Sequence, residues 1–444
     1  MWYKRVAMNA PAGGLVRAIG RWSLVALTVN SVIGSGVFGL PGTIAGLLGR
    51  QSTIAVVLSG AAVGVIILCF AEVASQFSGA GGPYLYASTA FGRLTGIIVG
   101  WTFYLSQTAA QAANANLFVS YLAEFWPGAR ASRLLILVAL VGFLAIVNFF
   151  GVRQGTRLSD IFTVAKLLPL LMVILAGAAL ILFRTAPMSL KEPISGSVWL
   201  QAFMLLVFAF GGFETALVPM GEAKDPRRDV VPALMITLIL CTAVYSLVQW
   251  VVVGVLGNGA QTDRPLAEVA RVTMGERGAG LVALGALVSI YGYLSAKMLA
   301  MPRTTFALAE SGDLPQVFAR LHSQFFTPWV SILFYALFLF GLAVVGSFAW
   351  NVALSVASRL FQYAAICAAL IVLRRRQPSA TRFHLPAGPV FAVVGILICL
   401  AMATRVDLGQ SRILAVTLAA AVLNWAWVRF QMRRRSHLPA SAPQ

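Results

Sequence analysis

The chain has 444 residues, of which 59% are hydrophobic and 11% charged, and its formal net charge is +19. So little polar surface excludes a soluble globular protein of this length and places the chain in a lipid bilayer. The positive charge does not indicate a nucleic-acid-binding protein, because the lysines and arginines lie in short segments between apolar stretches rather than on one basic face.

A membrane-spanning helix needs about 20 apolar residues, and we identify twelve candidate stretches. In chain order, the predicted spans are residues 22–47, 54–77, 94–125, 134–150, 161–183, 198–220, 231–256, 280–301, 329–345, 351–373, 390–403 and 413–430. They use most of the chain, so we expect no separate soluble domain.

The basic residues predict the orientation of these spans. If the amino terminus is inside, the inner loops and tails carry about twice as many lysines and arginines as the outer loops, which predicts that both termini are cytoplasmic. The expected location is the inner or plasma membrane. Residues 1–21 are followed by a long apolar stretch without a small-residue cleavage site, so no removable signal peptide is expected.

Two apolar spans contain glycine-rich interruptions. Residues 33–41 read IGSGVFGLP, and residues 208–214 read FAFGGFE. Each interior glycine costs a helix roughly 1 kcal/mol relative to alanine, and the freed backbone groups cannot face lipid. Paired breaks in two halves of a membrane protein indicate a substrate site near the middle of the bilayer. The sequence therefore favours a secondary transporter.

The first break also spells GxGxxG, the pattern of dinucleotide-binding proteins. That pattern requires a preceding strand and an acidic residue about 20 positions on, whereas residues 53–68 are unbroken apolar sequence. A GxxxxGK[ST] phosphate loop is absent, and His322, His384 and His437 fall in loops or tails. We therefore expect neither an enzyme nor a cofactor, although a membrane sensor that binds an amino acid without moving it is an alternative.

The chain carries a few ionisable residues inside predicted spans, and such residues are functional candidates by default. Glu214 directly follows the second break and is favoured as functional, whereas capping or pairing with a loop arginine better explains Glu72. Lys297 and Arg359 are ambiguous. For Lys297 we prefer snorkelling to the inner interface, although its cation could also recruit an acidic side chain.

Three segments between spans carry helical patterns. Residues 78–92 combine a glycine-rich turn with a short aromatic amphipathic piece, expected along the inner interface. Residues 263–278 favour a short external helix and a solvated loop equally, and residues 302–328 are expected to form cytoplasmic helices. The four cysteines, which all fall within spans, are expected to be small apolar fillers.

The chain resembles the amino acid, polyamine and organocation superfamily of transporters from residue 22 to about residue 373. The motifs that carry this resemblance are residues 33–41, residues 71–72 with 81–86, residues 208–214 with 221–226, and residues 303–315. The resemblance implies a leucine-transporter-type fold, with spans one to five and six to ten as inverted repeats and spans one and six unwound. The expected division is a tail (1–21), a transport core (22–373), two peripheral helices (374–430) and a basic tail (431–444).

The resemblance also implies roles for individual residues. The substrate carboxylate would meet backbone N–H groups of Gly34, Ser35 and Gly36. The amine would meet backbone carbonyls, and Phe208 would be a gate unless it is ordinary packing. The carbonyls are those of Ile33, Phe208, Ala209, Phe210 and Gly211.

Four further side chains take implied roles. Thr108 and Gln111 would line the side-chain pocket or form interhelical hydrogen bonds. Lys166 would take the place of a sodium ion, with snorkelling to the cytoplasmic side as the alternative, and Glu214 would sense protons. The expected substrate is an amino acid, preferably neutral or cationic, or a polyamine. Direction, exchange and proton coupling stay open, and lipid is the only other expected partner.

Overall fold

The computed structural model describes residues 19–79, 81–151, 156–183, 195–310, 312–376 and 383–436, without the side chains of residues 156–166, 219, 221, 258 and 431–436. Within these ranges the chain is helical and forms no sheet. One isolated bridge pairs Ile19 with Ala223 and ties the start of the first helix to the loop after the second break.

The α-helices, numbered here in chain order, are α1 (Arg21–Val32), α2 (Gly36–Leu48), α3 (Ser52–Ala74), α4 (Gly82–Phe91), α5 (Arg93–Leu122), α6 (Arg133–Phe149), α7 (Thr156–Phe183), α8 (Gly196–Phe210), α9 (Phe213–Ala216), α10 (Pro226–Leu256), α11 (Pro265–Glu310), α12 (Trp329–Val345), α13 (Phe348–Arg376), α14 (Gly388–Ala403) and α15 (Leu408–Ser436). Short 3₁₀ helices occupy Gly49–Gln51, Pro127–Ala129, Val218–Glu222, Gly257–Ala260 and Gln316–Ala319.

Each predicted span coincides with a helix or with a broken pair of helices. Six helical stretches of the described residues are long and apolar enough to cross a membrane: Gly36–Ala74, Gly196–Ala216, Pro226–Leu256, Pro265–Glu310, Phe348–Arg376 and Leu408–Phe430. Four further apolar helices are shorter. The helix α5 is 30 residues long but carries buried amide side chains. The helical class and the positions of the elements agree with the sequence, whereas the count of twelve crossings stays a prediction.

Both glycine-rich stretches interrupt their helices as expected. Residues 33–35 separate α1 from α2, and Gly211 with Gly212 separates α8 from α9. Gly212 has φ +113°, and a Cβ there would run into the carbonyl oxygen of Ser31. A Cβ on Gly36 would lie 2.9 Å from the Cα of Ala209. Glycine is therefore required because the two breaks approach each other backbone to backbone.

The broken helices lie inside a shell of longer helices. The helix α5 packs against α13, α11 against α7, and α10 against both α1 and α3, while α2 packs against α8. The two last helices lie outside this arrangement, since α14 packs on α13 and α3, and α15 packs mainly on α5. The breaks are therefore shielded from lipid, as freed backbone groups require.

The segments between spans contain helices where the sequence patterns predicted them. The helix α4 confirms the short piece in residues 78–92, and the amino-terminal part of α11 confirms a short helix in residues 263–278. A break at Gly275, with φ +72°, separates that part from the long remainder. The helix α11 continues past residue 301, the predicted end of span eight, through Pro302 to Glu310, so part of the helix expected in residues 302–328 is an extension of α11.

Candidate functional site

A polar cavity lies where the two breaks meet, and it contains about 320 Å³ of space not filled by atoms. The residues that line it come from both breaks and from α5, α11 and α13: Ser31, Val32, Gly34, Ser35, Gly36, Gln107, Ala110, Asn114, Phe208, Gly211, Gly212, Tyr293, Lys297 and Arg359. The fold thus brings together seven residues that the sequence singled out: Gly34, Ser35, Gly36, Phe208, Gly211, Lys297 and Arg359.

The first break presents unused hydrogen-bond donors to this cavity. Among the described residues, the N–H groups of Gly34 and Ser35 donate no backbone hydrogen bond, and the buried Ser35 hydroxyl has no partner. The helix α2 begins at Gly36, so its positive dipole end lies at the same place. Such a wall binds an anionic group, for instance a carboxylate, because it supplies donors and favourable charge together.

One tyrosine joins the two breaks. The hydroxyl oxygen of Tyr245 lies 3.1 Å from the carbonyl oxygen of Val32 and 3.1 Å from that of Ala209. Since a hydroxyl has one proton, it donates to one of these carbonyls at a time. The last carbonyl of α1 and a carbonyl near the end of α8 are therefore held together through a single side chain, which the sequence interpretation missed.

The helix α5 contributes one face to the cavity, formed by Gln107, Ala110 and Asn114. Asn114 donates its amide to the Ala110 carbonyl at 2.8 Å, while its buried Oδ1 accepts no hydrogen bond. A buried unsatisfied oxygen is costly, so this acceptor is suited to a ligand donor such as an amine. Sequence reasoning missed both Gln107 and Asn114, although their i, i+7 spacing places them on one face.

Thr108 and Gln111 lie on other parts of α5 and do not line this cavity. The Thr108 hydroxyl donates to the Tyr104 carbonyl at 2.8 Å within the same helix. Gln111 donates to the Leu294 carbonyl of α11 at 2.9 Å and accepts a hydrogen bond from Tyr335. For Gln111 the structure therefore shows the interhelical bonding that was the alternative to a pocket role.

Glu214 and Arg359 form a buried ion pair beside the cavity. Their side chains are 0% and 3% exposed, and Arg359 Nε lies 3.1 Å from Glu214 Oε1. Glu214 Oε2 also accepts the Gly212 N–H at 2.9 Å and the Tyr363 hydroxyl at 3.3 Å. The carboxylate thus caps a backbone donor released by the second break. Snorkelling does not apply to Arg359, because its guanidinium is turned inward to this partner.

Snorkelling was also the wrong interpretation for Lys297. Its ammonium lies 2.7 Å from Oε1 of Gln107 and 3.4 Å from the Thr215 hydroxyl, and it lies over the ring of Tyr293. The side chain is therefore turned into the protein towards α5 rather than to the inner interface. The physical reason is that α5 supplies a buried amide acceptor, which sequence spacing along α11 alone does not reveal.

The remaining predicted positions lie around this centre. Ile33 is buried, Ala209 lines a neighbouring apolar cavity with Gly36, and the Phe210 ring packs on Tyr245. The ring of Phe208 lines the polar cavity beneath the Arg359 guanidinium. The side chain of Lys166 lies outside the described residues.

Glu72 takes no part in the cavity. It is buried and accepts two hydrogen bonds from Arg374, one of them at 2.6 Å, and another from the Leu385 N–H. Pairing with an arginine beyond the predicted span is thus confirmed. The described residues contain no cluster of histidine, cysteine or acidic side chains suited to a metal ion.

Two helices broken at one polar cavity, enclosed by apolar helices able to cross a bilayer, define a membrane transporter. Comparison with known proteins specifies the family. The family model for amino acid permeases matches residues 19–423, so the chain belongs to the amino acid permease family. It is a multi-pass membrane transporter rather than an enzyme.

The curated relatives transport different solutes. A methylthioribose transporter of Bacillus subtilis (strain 168) is 27% identical, with 89% of each chain covered. A serine/threonine exchanger of the same organism is 26% identical, with 87% of this chain and 91% of that protein covered. A branched-chain amino acid permease, also from this organism, is 26% identical with 89% of each chain covered. At such identities the side-chain pocket must be interpreted from this chain itself.

Proposed function

We propose that this protein is a secondary active transporter that moves an amino acid across the cytoplasmic membrane. The observation that carries the proposal is the cavity between the two breaks. Free N–H groups of Gly34 and Ser35 are available there for the substrate carboxylate, and the unpartnered Asn114 Oδ1 is available for a donor such as its amine. One small zwitterion would thus satisfy buried donors and an acceptor that otherwise lack partners.

We further propose the leucine-transporter-type arrangement of two inverted five-span repeats, with α14 and α15 as peripheral helices. In such a repeat, the third and tenth spans correspond to the eighth and fifth. The helices α5, α7, α11 and α13 correspond to spans three, five, eight and ten. The packing of α5 on α13 therefore has its counterpart in the packing of α11 on α7, which supports the proposal. The proposed core is residues 22–373, with cytoplasmic tails at both ends.

Counterflow into liposomes tests the transport proposal. Liposomes holding the purified protein are loaded with one unlabelled amino acid at a time, and uptake of the same labelled amino acid is followed. We expect transient accumulation of label for at least one amino acid, with empty liposomes as the control. Binding without accumulation for every amino acid and polyamine tried would instead identify a sensor.

The coupling mode is a separate part of the proposal. We propose transport without sodium, since Lys166 takes the place of that ion in the family resemblance, and we expect equal rates when choline replaces sodium. Lys166→Ala should weaken transport. If protons are coupled through Glu214, Glu214→Gln should flatten the pH dependence of uptake. Strict sodium dependence of the wild type would contradict the role of Lys166. Coincident pH profiles of the wild type and Glu214→Gln would contradict the role of Glu214.

A further inference from the structure

Building on the proposed amino acid transport, we propose that the substrate carries an anionic side chain and that the ammonium of Lys297 binds it. The expected class is an amino acid with a side-chain carboxylate. This departs from the sequence-based expectation of a neutral or cationic substrate, because the charge of the assembled cavity selects the side chain.

The cavity wall carries positive charge that the protein does not balance there. Lys297 and Arg359 both line the cavity, whereas Glu214 does not. The Glu214 carboxylate lies behind Arg359 and is fully buried. It is shared by Arg359, the Gly212 N–H and the Tyr363 hydroxyl, and it also accepts a hydrogen bond of 3.5 Å from the side-chain amide of Gln107. One negative charge therefore stands against two positive charges, and a ligand in the cavity meets the cations rather than the anion.

Lys297 is the cation without a charged partner. Its hydrogen-bond acceptors, Gln107 and Thr215, are neutral, and no carboxylate of the described residues lies within ion-pair distance of its ammonium. Taking an ammonium out of water is costly unless an opposite charge accompanies it. A substrate carboxylate at this position supplies that charge and forms a charge-assisted hydrogen bond.

The position of the cations identifies which part of the substrate they meet. The α-carboxylate has its own donors at the first break, on Gly34 and Ser35. Lys297 and Arg359 come from α11 and α13, which are separate elements that close the cavity elsewhere. The group left to meet them is the side chain. A diamine or a basic amino acid would place like charges together in a buried site, which excludes these substrates by repulsion.

Pairs of amino acids that match in size but differ in charge test this inference. Glutamate is compared with glutamine, and aspartate with asparagine, as competitors in the counterflow assay on the full-length protein in liposomes. We expect the wild type to prefer the acidic member at least tenfold. Lys297→Met, which keeps the length but removes the charge, should bring the ratio close to one, and Lys297→Arg should restore part of the preference.

The same substitution at an exposed lysine of an inner loop, Lys224→Met, is the matched control and should leave the ratio unchanged. Equal competition by both members in the wild type, or an unchanged ratio in Lys297→Met, would overturn the inference. Each of these results still requires counterflow of some amino acid, whereas failure of all counterflow would refute the transport proposal itself.

Discussion

At the scale of single residues, the absence of a side chain at Gly36 allows the two breaks to meet. A Cβ on residue 36 would lie only 2.9 Å from the Cα of Ala209, which is closer than two carbon atoms pack. The helices α2 and α8 can therefore approach here only because residue 36 has no side chain. This close approach positions the free donors of the first break against the cavity. The smallest residue thus determines the geometry on which the proposed binding depends.

Gly36→Leu is therefore expected to abolish substrate binding, because the added side chain both separates the breaks and fills the cavity. Binding is measured as substrate-induced thermal stabilisation of the purified protein. Gly341→Leu in α12, where a Cβ meets no atom within 4 Å, is the control for the same substitution in an apolar helix. Wild-type affinity in a folded Gly36→Leu protein would refute binding at the backbone of this break.

The buried pair of Glu214 and Arg359 yields a second prediction at this scale. Removing one partner leaves a buried charge unbalanced, which costs roughly 3–5 kcal/mol. Glu214→Gln and Arg359→Gln should each lower the melting temperature, and the double variant should be more stable than the sum of the two losses predicts.

Thermal unfolding of the four proteins in detergent measures this coupling. Asp263→Asn is the matched control, since Asp263 pairs with Arg130 at 3.1 Å but both side chains are well exposed, and little change is expected. Strictly additive losses in the Glu214 and Arg359 variants would show that the two side chains do not act as a pair.

At the scale of elements, ion pairs connect the amino-terminal part of α11 to the residues that directly follow α5. Glu124, at the carboxyl end of α5, accepts hydrogen bonds from Arg264, at 2.6 Å, and from Arg271. Arg264 directly precedes the short helix of residues 265–274 and Arg271 lies within it, and Leu266 and Val269 of this helix are buried. The network holds this segment, predicted to be external, over the helices below it.

Glu124→Gln should loosen that segment, because two arginines lose the carboxylate that they share. The expected result is faster hydrogen exchange in residues 265–278, measured by mass spectrometry on the solubilised protein. Glu276→Gln is the control, because the Glu276 carboxylate also contacts Arg271 but is exposed to solvent. We expect it to change the rate of hydrogen exchange much less. Equal effects of the two substitutions would show that Glu124 has no special part in holding the segment.

At the scale of the whole molecule, the proposed crossings place inner and outer loops on opposite sides of the membrane. The four cysteines of the chain are buried, so labelling of introduced cysteines has a low background. Ser323 and Ser411 are both exposed, and they lie on the predicted inner and outer sides respectively.

A membrane-impermeant maleimide applied to intact cells should therefore label Ser411→Cys, while Ser323→Cys should react only after the membrane is opened. Serine and cysteine are close in size, so neither substitution disturbs packing. Labelling of both positions from outside, or of Ser323→Cys alone, would contradict the proposed orientation.

The sequence by itself determined the helical membrane class and both breaks. The length of an apolar stretch and a cluster of glycines are local signals. Their effect on the backbone is the same whichever helices pack around them. Residues 33–35, Gly211 and Gly212 were located correctly for this reason. For Glu72 the sequence predicted capping or pairing with an arginine, but only the structure identifies Arg374 as the partner. The family assignment followed from motifs of the same local kind.

Only the tertiary structure decided which side chains share the cavity. Because α5 is buried on most sides, its pattern does not reveal which face meets the breaks. The sequence interpretation therefore chose Thr108 and Gln111, whereas Gln107 and Asn114 line the cavity. The partners of Arg359 and Lys297 lie on other helices, more than 80 positions away in the sequence. A charged side chain in a span can point to the membrane interface or to a partner on another helix. Which of the two it does depends on the packing of α5, α9, α11 and α13, because this packing positions the acceptors.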